Sequence, residues 1–221
     1  MSLTKKEIAN VIRYCNRDLV PDKEFDPLKT YHSDWFPNYF SFLKTKSLQN
    51  HLGEAFYQAR FVYKLMNALR LTLGKQPGFV KFQIIQYASI CEAILDETIA
   101  KFHHDEAGKI FASKEYSPYE ISKTLSIKHN KNDIYLCKLK TKKGDLKRTR
   151  IDFKVNFSIG KNIISKSLGD KFCKLYDLRN NIHILKAHEN NYRPKLKEAK
   201  EAFEMMMEFV QEIRKYYEKE H

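Results

Sequence analysis

Glycine and proline are scarce, at 7 and 6 of 221 residues. That shortage argues against a turn-rich all-β fold and against a low-complexity or collagen-like chain. Cysteine is sparse as well. Cys15, Cys91, Cys137 and Cys173 stand far apart and form no CxxC pair, so the spacing spells neither a disulfide framework nor a cysteine zinc site. Cys91 and Cys173 fall in apolar helical stretches and are expected to be free buried thiols in a reducing cytoplasm. The N-terminus has no apolar signal core, and no uncharged run reaches 18 residues. Secretion and a membrane span are therefore not expected. A Walker-type glycine-rich loop is missing too, which argues against an ATPase, and no Ser-His-Asp or Cys-His arrangement can be placed from spacing.

What the chain has in quantity is apolar and basic residues. Hydrophobic residues make up 43%, with 13 Tyr and 15 Phe, enough for a substantial core. Lys, Leu, Glu and Ala are common, which favours helix. Forty Lys+Arg against 27 Asp+Glu leave a net charge of +13. Such a balance suits RNA or another polyanion, although a lysine-rich proteome would produce it without any such partner.

Periodicity divides the chain into an N-terminal region, residues 1–45, and a helical region, residues 46–221. Thr4-Lys5-Lys6-Glu7 is a capping box, followed by the short stripe Ile8, Val11, Ile12, Cys15. The aromatic-rich stretch 21–42 either stacks rings on bases or pins a meandering segment onto the core, and the second is favoured. Residues 47–73 carry apolar positions in alternating steps of four and three, from Leu48 to Leu73. Residues 79–102 are apolar nearly all round, which places that helix centrally. Its polar residues Gln86, Ser89, Glu92 and Asp96 share one narrow line. A buried Glu92 needs a cationic partner, and Arg179 is the candidate. His103-His104-Asp105-Glu106 is read as a solvated helix end rather than a metal site, because adjacent His side chains diverge by about 100°. Residues 168–187 and 194–219 are two further helices, the last with the seam Leu196, Ala199, Phe203, Met206, Val210, Ile213, Tyr217. Between the second and third long helices, residues of about 133–157 read as a β-hairpin, with strands 134–140 and 147–157. It holds eight basic and three acidic residues, and Lys138, Lys140, Lys142, Lys143, Lys147, Arg148, Arg150 and Lys154 form a candidate grip on a nucleic-acid backbone. A solvated ribbon protected by lysines would look the same. The fold class is thus mainly α: an up-and-down four-helix bundle with an inserted β-hairpin and an N-terminal cap.

The sharpest chemical signal is Arg179-Asn180-Asn181-Ile182-His183. On a continuous helix, positions four apart share a face, roughly 6 Å from each other. A fixed guanidinium would then stand beside an imidazole able to exchange protons near neutrality, the minimum for phosphodiester chemistry. A packed, hydrogen-bonded Arg/His pair has the same spacing.

At this point the chain resembles the HEPN superfamily. Three features carry the likeness across residues 47–219: the helical bundle, the mid-helix acid in Ile90-Cys91-Glu92-Ala93-Ile94-Leu95, and Leu178-Arg179-Asn180-Asn181-Ile182-His183, which is similar to the family's Arg-Asn-x-x-x-x-His signature. Three residues separate Arg179 from His183, fewer than the common pattern, whereas His188 would leave eight; an Arg-Asn-x-Ile-His form fits His183. The resemblance implies a metal-independent endoribonuclease without cofactor. It implies service as a toxin or in phage defence, an antitoxin or other protein partner, and a homodimer whose two motifs face one cleft. In that scheme Arg179 holds the scissile phosphate, His183 is the general acid or base, Asn180 orients phosphate or imidazole, and Glu92 holds Arg179. A catalytically inactive nucleic-acid- or nucleotide-binding module and a plain interaction domain are the alternatives.

Overall fold

A computed structural model describes residues 4–15, 35–71, 76–118, 127–129, 132–134, 137–142, 144–182, 184–189 and 191–220. The helices in chain order are α1 (Lys5–Cys15), α2 (Trp35–Tyr39), α3 (Lys46–Ala68), α4 (Gln76–Ile110), α5 (Ile151–Gly160), α6 (Lys166–Asn181), α7 (Ile184–Glu189) and α8 (Leu196–Lys219). Among the described residues, four short strands lie between α4 and α5: β1 (Ser113–Pro118), β2 (Ile127–His129), β3 (Asn132–Ile134) and β4 (Cys137–Lys142).

The fold is mainly helical, and α4 is its centre. It packs against α3, α8, α6 and α5. Its sequence explains this: Val80, Ile84, Tyr87, Ala88, Ile90, Cys91, Ile94, Leu95 and Ile99 are all buried, and they cover most of the helix circumference. The partners bring one stripe each. Leu52, Phe56, Ala59 and Met66 come from α3, Leu168, Phe172 and Leu175 from α6, and Met206, Phe209, Val210 and Ile213 from α8. Each large side chain wholly removed from water contributes about 1.5–3 kcal/mol. Phe172 and Phe209 meet with ring centres 5.1 Å apart, and Phe56 approaches Phe203 at 6.2 Å.

The N-terminal capping box forms as expected. The Thr4 amide donates to Glu7 Oε2 at 2.7 Å, and the Glu7 amide donates to Thr4 Oγ1 at 3.3 Å. The aromatic stretch is described from residue 35 onward, and there Phe36, Tyr39, Phe40 and Phe42 pack inward. Phe36 and Phe40 sit against Phe56 with ring centres 5.2 and 6.2 Å apart.

Three expectations are corrected. First, the hairpin of residues 133–157 does not form. Residues 151–160 are α5, preceded by a 3-10 turn at Leu146–Arg148. The strand containing Lys138, Lys140 and Lys142 pairs upstream instead: β4 runs antiparallel to β1, from Ser113↔Lys142 to Pro118↔Cys137, and β2 pairs with β3 inside that ribbon. The alternation of Ile151, Phe153, Val155 and Phe157 misleads because the inner face of α5 includes polar residues. Lys154 and Ser158 are buried, while Phe153 is 57% exposed. Second, the central helix runs on past residue 102 to Ile110, with a break in its backbone at His103 (φ −135°, ψ 25°). That end is not solvated throughout. His103 Nε2 lies 2.9 Å from the Tyr216 hydroxyl, and its ring meets Phe157 edge-on. Third, the expected helix 168–187 stops at Asn181, and a separate short helix, α7, follows. The Ile182 amide bonds back to the Arg179 carbonyl, three residues earlier, which tightens and closes the last turn. Asn180 and Asn181 are weak helix formers, and β-branched Ile182 buries its side chain at the stop.

Candidate functional site

Glu92 lies in the middle of α4, and α6 crosses it near its own C-terminal end. Arg179 Nη1 donates to Glu92 Oε2 at 2.8 Å, the pairing expected for a carboxylate on that helix. Both side chains are about a quarter exposed, at 26% and 27%. The guanidinium carbon also lies 5.0 Å from the centre of the Tyr176 ring, one turn back on α6. The Glu92 carboxylate and the Tyr176 ring therefore hold the guanidinium from two sides. Among the described residues no hydrogen bond engages Arg179 Nε or Nη2, so part of its donor fork still faces an approaching anion.

The neighbours of Arg179 divide. Asn180 is half-buried on the last turn of α6. His183 lies outside the described residues, so no distance joins it to Arg179. The helix that was to set those two side chains four positions apart on one face ends at Asn181. His188, on α7, is exposed.

One turn beyond Glu92, Asp96 forms the second ion pair of α4. Lys154 Nζ, from α5, sits 2.7 Å from its Oδ1 and 2.9 Å from its Oδ2. Burial pushes the Asp96 carboxyl above the usual range, while the Lys154 ammonium pulls it down. Lys154 is 1% exposed. This removes it from the candidate nucleic-acid grip: its charge is spent inside the protein and cannot reach a backbone phosphate. The pairing could have been suspected from Asp96 lying on the Glu92 line, since a second carboxylate on that face also needs a cation.

The other members of the grip are spread over different elements. Lys138, Lys140 and Lys142 are on β4, while Lys143 lies outside the described residues. Lys147 and Arg148 are in the 3-10 turn, and Lys147 lines a cavity of about 560 Å³ that also borders Asp96. Arg148 and Arg150 are exposed at 80% and 78%, each near an acid, Asp145 at 3.4 Å and Asp152 at 2.9 Å. Such exposed pairs are weak, and both arginines remain available to anions.

Among the described residues no three His, Cys, Asp or Glu side chains come together as a metal site. Nor is any described helix long and apolar enough to cross a membrane. Compared with protein-family models, with curated proteins and with solved structures, the chain matches none of them.

Proposed function

We propose that the chain is a HEPN-like, metal-independent endoribonuclease that acts as a homodimer, with Arg179 as its phosphate-binding group. The observation that carries this reading is the part-exposed guanidinium of Arg179, tethered by Glu92 across the α6–α4 crossing at 2.8 Å. A cation aimed by a carboxylate and still open to solvent is suited to hold a phosphodiester and to stabilise charge that develops on it. The net charge of +13 supports attraction of RNA. In the proposed reaction His183 accepts the proton of the RNA 2′-hydroxyl. The 2′-oxygen bonds to phosphorus, the bond to the 5′-oxygen breaks, and a protonated group returns a proton to that leaving oxygen. The products are a cyclic phosphate end and a free 5′-hydroxyl. Asn180 orients the phosphate or the imidazole, and Glu92 is a positioning residue.

Purified protein incubated with mixed RNA tests this directly. Cleavage that persists in EDTA and is lost in Arg179→Ala and in His183→Ala, with thermal unfolding unchanged, supports the nuclease. Glu92→Gln should weaken cleavage less than Arg179→Ala does. Cleavage that survives both variants removes the proposal.

A catalytically inactive RNA-binding module is the second reading, and the stop of α6 at Asn181 favours it. A helix that ends there does not itself set the Arg179–His183 geometry. Salt-sensitive RNA binding without cleavage, equal in the wild type and in His183→Ala, would decide for this second reading.

A further inference from the structure

Gln83 is buried in the first half of α4, at 2% exposure, and only half of its amide is used. Its Nε2 donates to the Phe79 carbonyl, one turn earlier, at 3.2 Å. A carbonyl only accepts, so the nitrogen faces Phe79 and the amide oxygen points elsewhere. Among the described residues that Oε1 receives no hydrogen bond, yet it is not sealed off from solvent. It opens on a groove of about 460 Å³ that Gln83 lines, where α3, α4 and α8 meet. The volume falls in the range of small-molecule sites. The groove is separate from the Arg179 site: Tyr87 on its floor stands five positions before Glu92, about 140° round α4.

Tyr87 lies one turn beyond Gln83, so the two share a face of α4 and both line the groove. The Tyr87 hydroxyl accepts from the Arg60 guanidinium, and among the described residues its own hydrogen has no acceptor. The floor thus sets an unused acceptor beside an unused donor. The wall next to them is aromatic. The ring centres of Tyr87 and Phe203 are 5.6 Å apart, and Tyr63 lines the same groove. The charges here are met within the protein. Arg60 lies 4.8 Å over the Phe203 ring and 5.6 Å from that of Tyr63, besides its bond to Tyr87. Lys197 pairs with Glu201 at 3.4 Å and Lys200 with Glu204 at 3.6 Å. What the groove leaves unmet is therefore neutral.

We propose that this groove binds an uncharged planar ligand with a cyclic amide edge, an N–H beside a C=O on a conjugated ring. The ligand N–H donates to Gln83 Oε1, and its carbonyl accepts from the Tyr87 hydroxyl. The ring packs against Phe203 and Tyr63. A plain hydrocarbon ring would leave the Gln83 oxygen unanswered, and a carboxylate would bring a second acceptor against it. Acceptor, donor and ring wall occur within one cavity of matching size, and that coincidence selects a neutral ligand with both parts. This inference does not rest on the nuclease reading.

Calorimetric titration of the full chain with four probes tests it. Carbostyril, a bicyclic lactam, carries the amide edge, and N-methylcarbostyril lacks only the N–H. Quinoline has neither N–H nor carbonyl, and naphthoate is an anion of similar size. Carbostyril should saturate with a Kd below about 1 mM, and the other three should each bind at least about tenfold more weakly. Gln83→Met keeps the shape of the side chain without its oxygen and should lose at least about tenfold in carbostyril affinity. Circular dichroism and a thermal melt establish that this variant folds; if it does not, the comparison of carbostyril with its N-methyl form on the wild type decides alone. Lys197→Ala/Lys200→Ala changes only exposed side chains and should leave carbostyril affinity within about threefold. Absence of saturation, or a smaller gap between carbostyril and any of the other probes, would overturn the proposal. So would an unchanged affinity in folded Gln83→Met, or a larger loss in the double lysine variant.

Discussion

Lys154 and Asp96 form an ion pair between α5 and α4 in which the ammonium is almost wholly removed from water, at 1% exposure. The contact to Asp96 Oδ2 at 2.9 Å is a directed hydrogen bond. Oδ1 is nearer, at 2.7 Å, but lacks hydrogen-bond geometry and is held by charge alone. Removing one member leaves the other charge inside the protein, whereas removing both restores an apolar contact. Asp96→Asn is therefore expected to destabilise the fold by about 2–4 kcal/mol, and Asp96→Leu/Lys154→Met to recover most of that loss. Denaturant midpoints measure both. A change below about 0.5 kcal/mol in Asp96→Asn would mean that Lys154 finds another partner.

The Arg179–Glu92 pair should behave differently, because both side chains keep about a quarter of their surface in water. Glu92→Ala is expected to cost about 1 kcal/mol, and less at 1 M salt. The charge-reversed pair Glu92→Arg/Arg179→Glu should regain at least half of that cost while failing to bind RNA. Stability and RNA affinity measured on the same three proteins separate the structural share of the pair from its phosphate-binding share.

Gly169 sets how closely α6 approaches α5. A Cβ at this position would stand 2.7 Å from Ile159 Cδ1 and 3.0 Å from Val155 Cγ1. Gly169→Ala gains helix propensity yet overpacks the crossing, and the overpacking wins, at about 1–3 kcal/mol. Ile159→Val removes the atom that Gly169→Ala would strike. The double variant should therefore be more stable than Gly169→Ala alone, and thermal melts would show it.

Alkaline pH should unfold the protein ahead of chemical damage. Burial is the leading cause of the raised pKa of Tyr87, Tyr217, Tyr216 and Cys91, and Tyr217 is pushed up to about 12. A raised folded-state pKa means the unfolded chain releases its proton first. Each group's stabilising contribution is complete below its unfolded value, 9.0 for the thiol and 10.0 for the phenols, and is lost as pH rises through the folded value. Tyr217→Phe removes one such group. The hydroxyl it deletes is buried without a hydrogen bond: the nearby Thr98 hydroxyl pulls the Tyr217 pKa down a little but donates its proton to the Ile94 carbonyl at 2.7 Å. The stability of Tyr217→Phe should match or exceed the wild type at pH 7 and fall less steeply above pH 10. An equal alkaline slope in the two proteins would contradict this.

The helical frame was legible because apolar spacing and burial coincide on α3, α4 and α8. Ala199, Met206, Val210, Ile213 and Tyr217 were expected on the α8 seam and are buried there. The Arg179–Glu92 contact was legible for a related reason, since a carboxylate on a helix apolar nearly all round needs a cation from a neighbour. What misled was polarity inside the core and backbone at a helix end. Lys154 and Ser158 hide the helical period of α5, so its remaining apolar residues imitate a strand. The break after Asn181 follows from a closing turn that a 20-residue apolar stripe does not reveal.

Gly53 has a consequence for anyone shortening the chain. Its missing side chain lets the Phe36–Pro37 backbone lie directly on α3, where a Cβ would meet Pro37 Cδ at 2.7 Å. Arg214, near the end of α8, donates to the Tyr39 carbonyl at 2.8 Å. Residues 35–43 are thus clamped by helices from both ends of the sequence. A truncation that begins at α3 would not release an independent bundle; it would strip Phe36, Phe40 and Leu43 from the interior and leave Phe56 open to water, a sticky scar that invites aggregation.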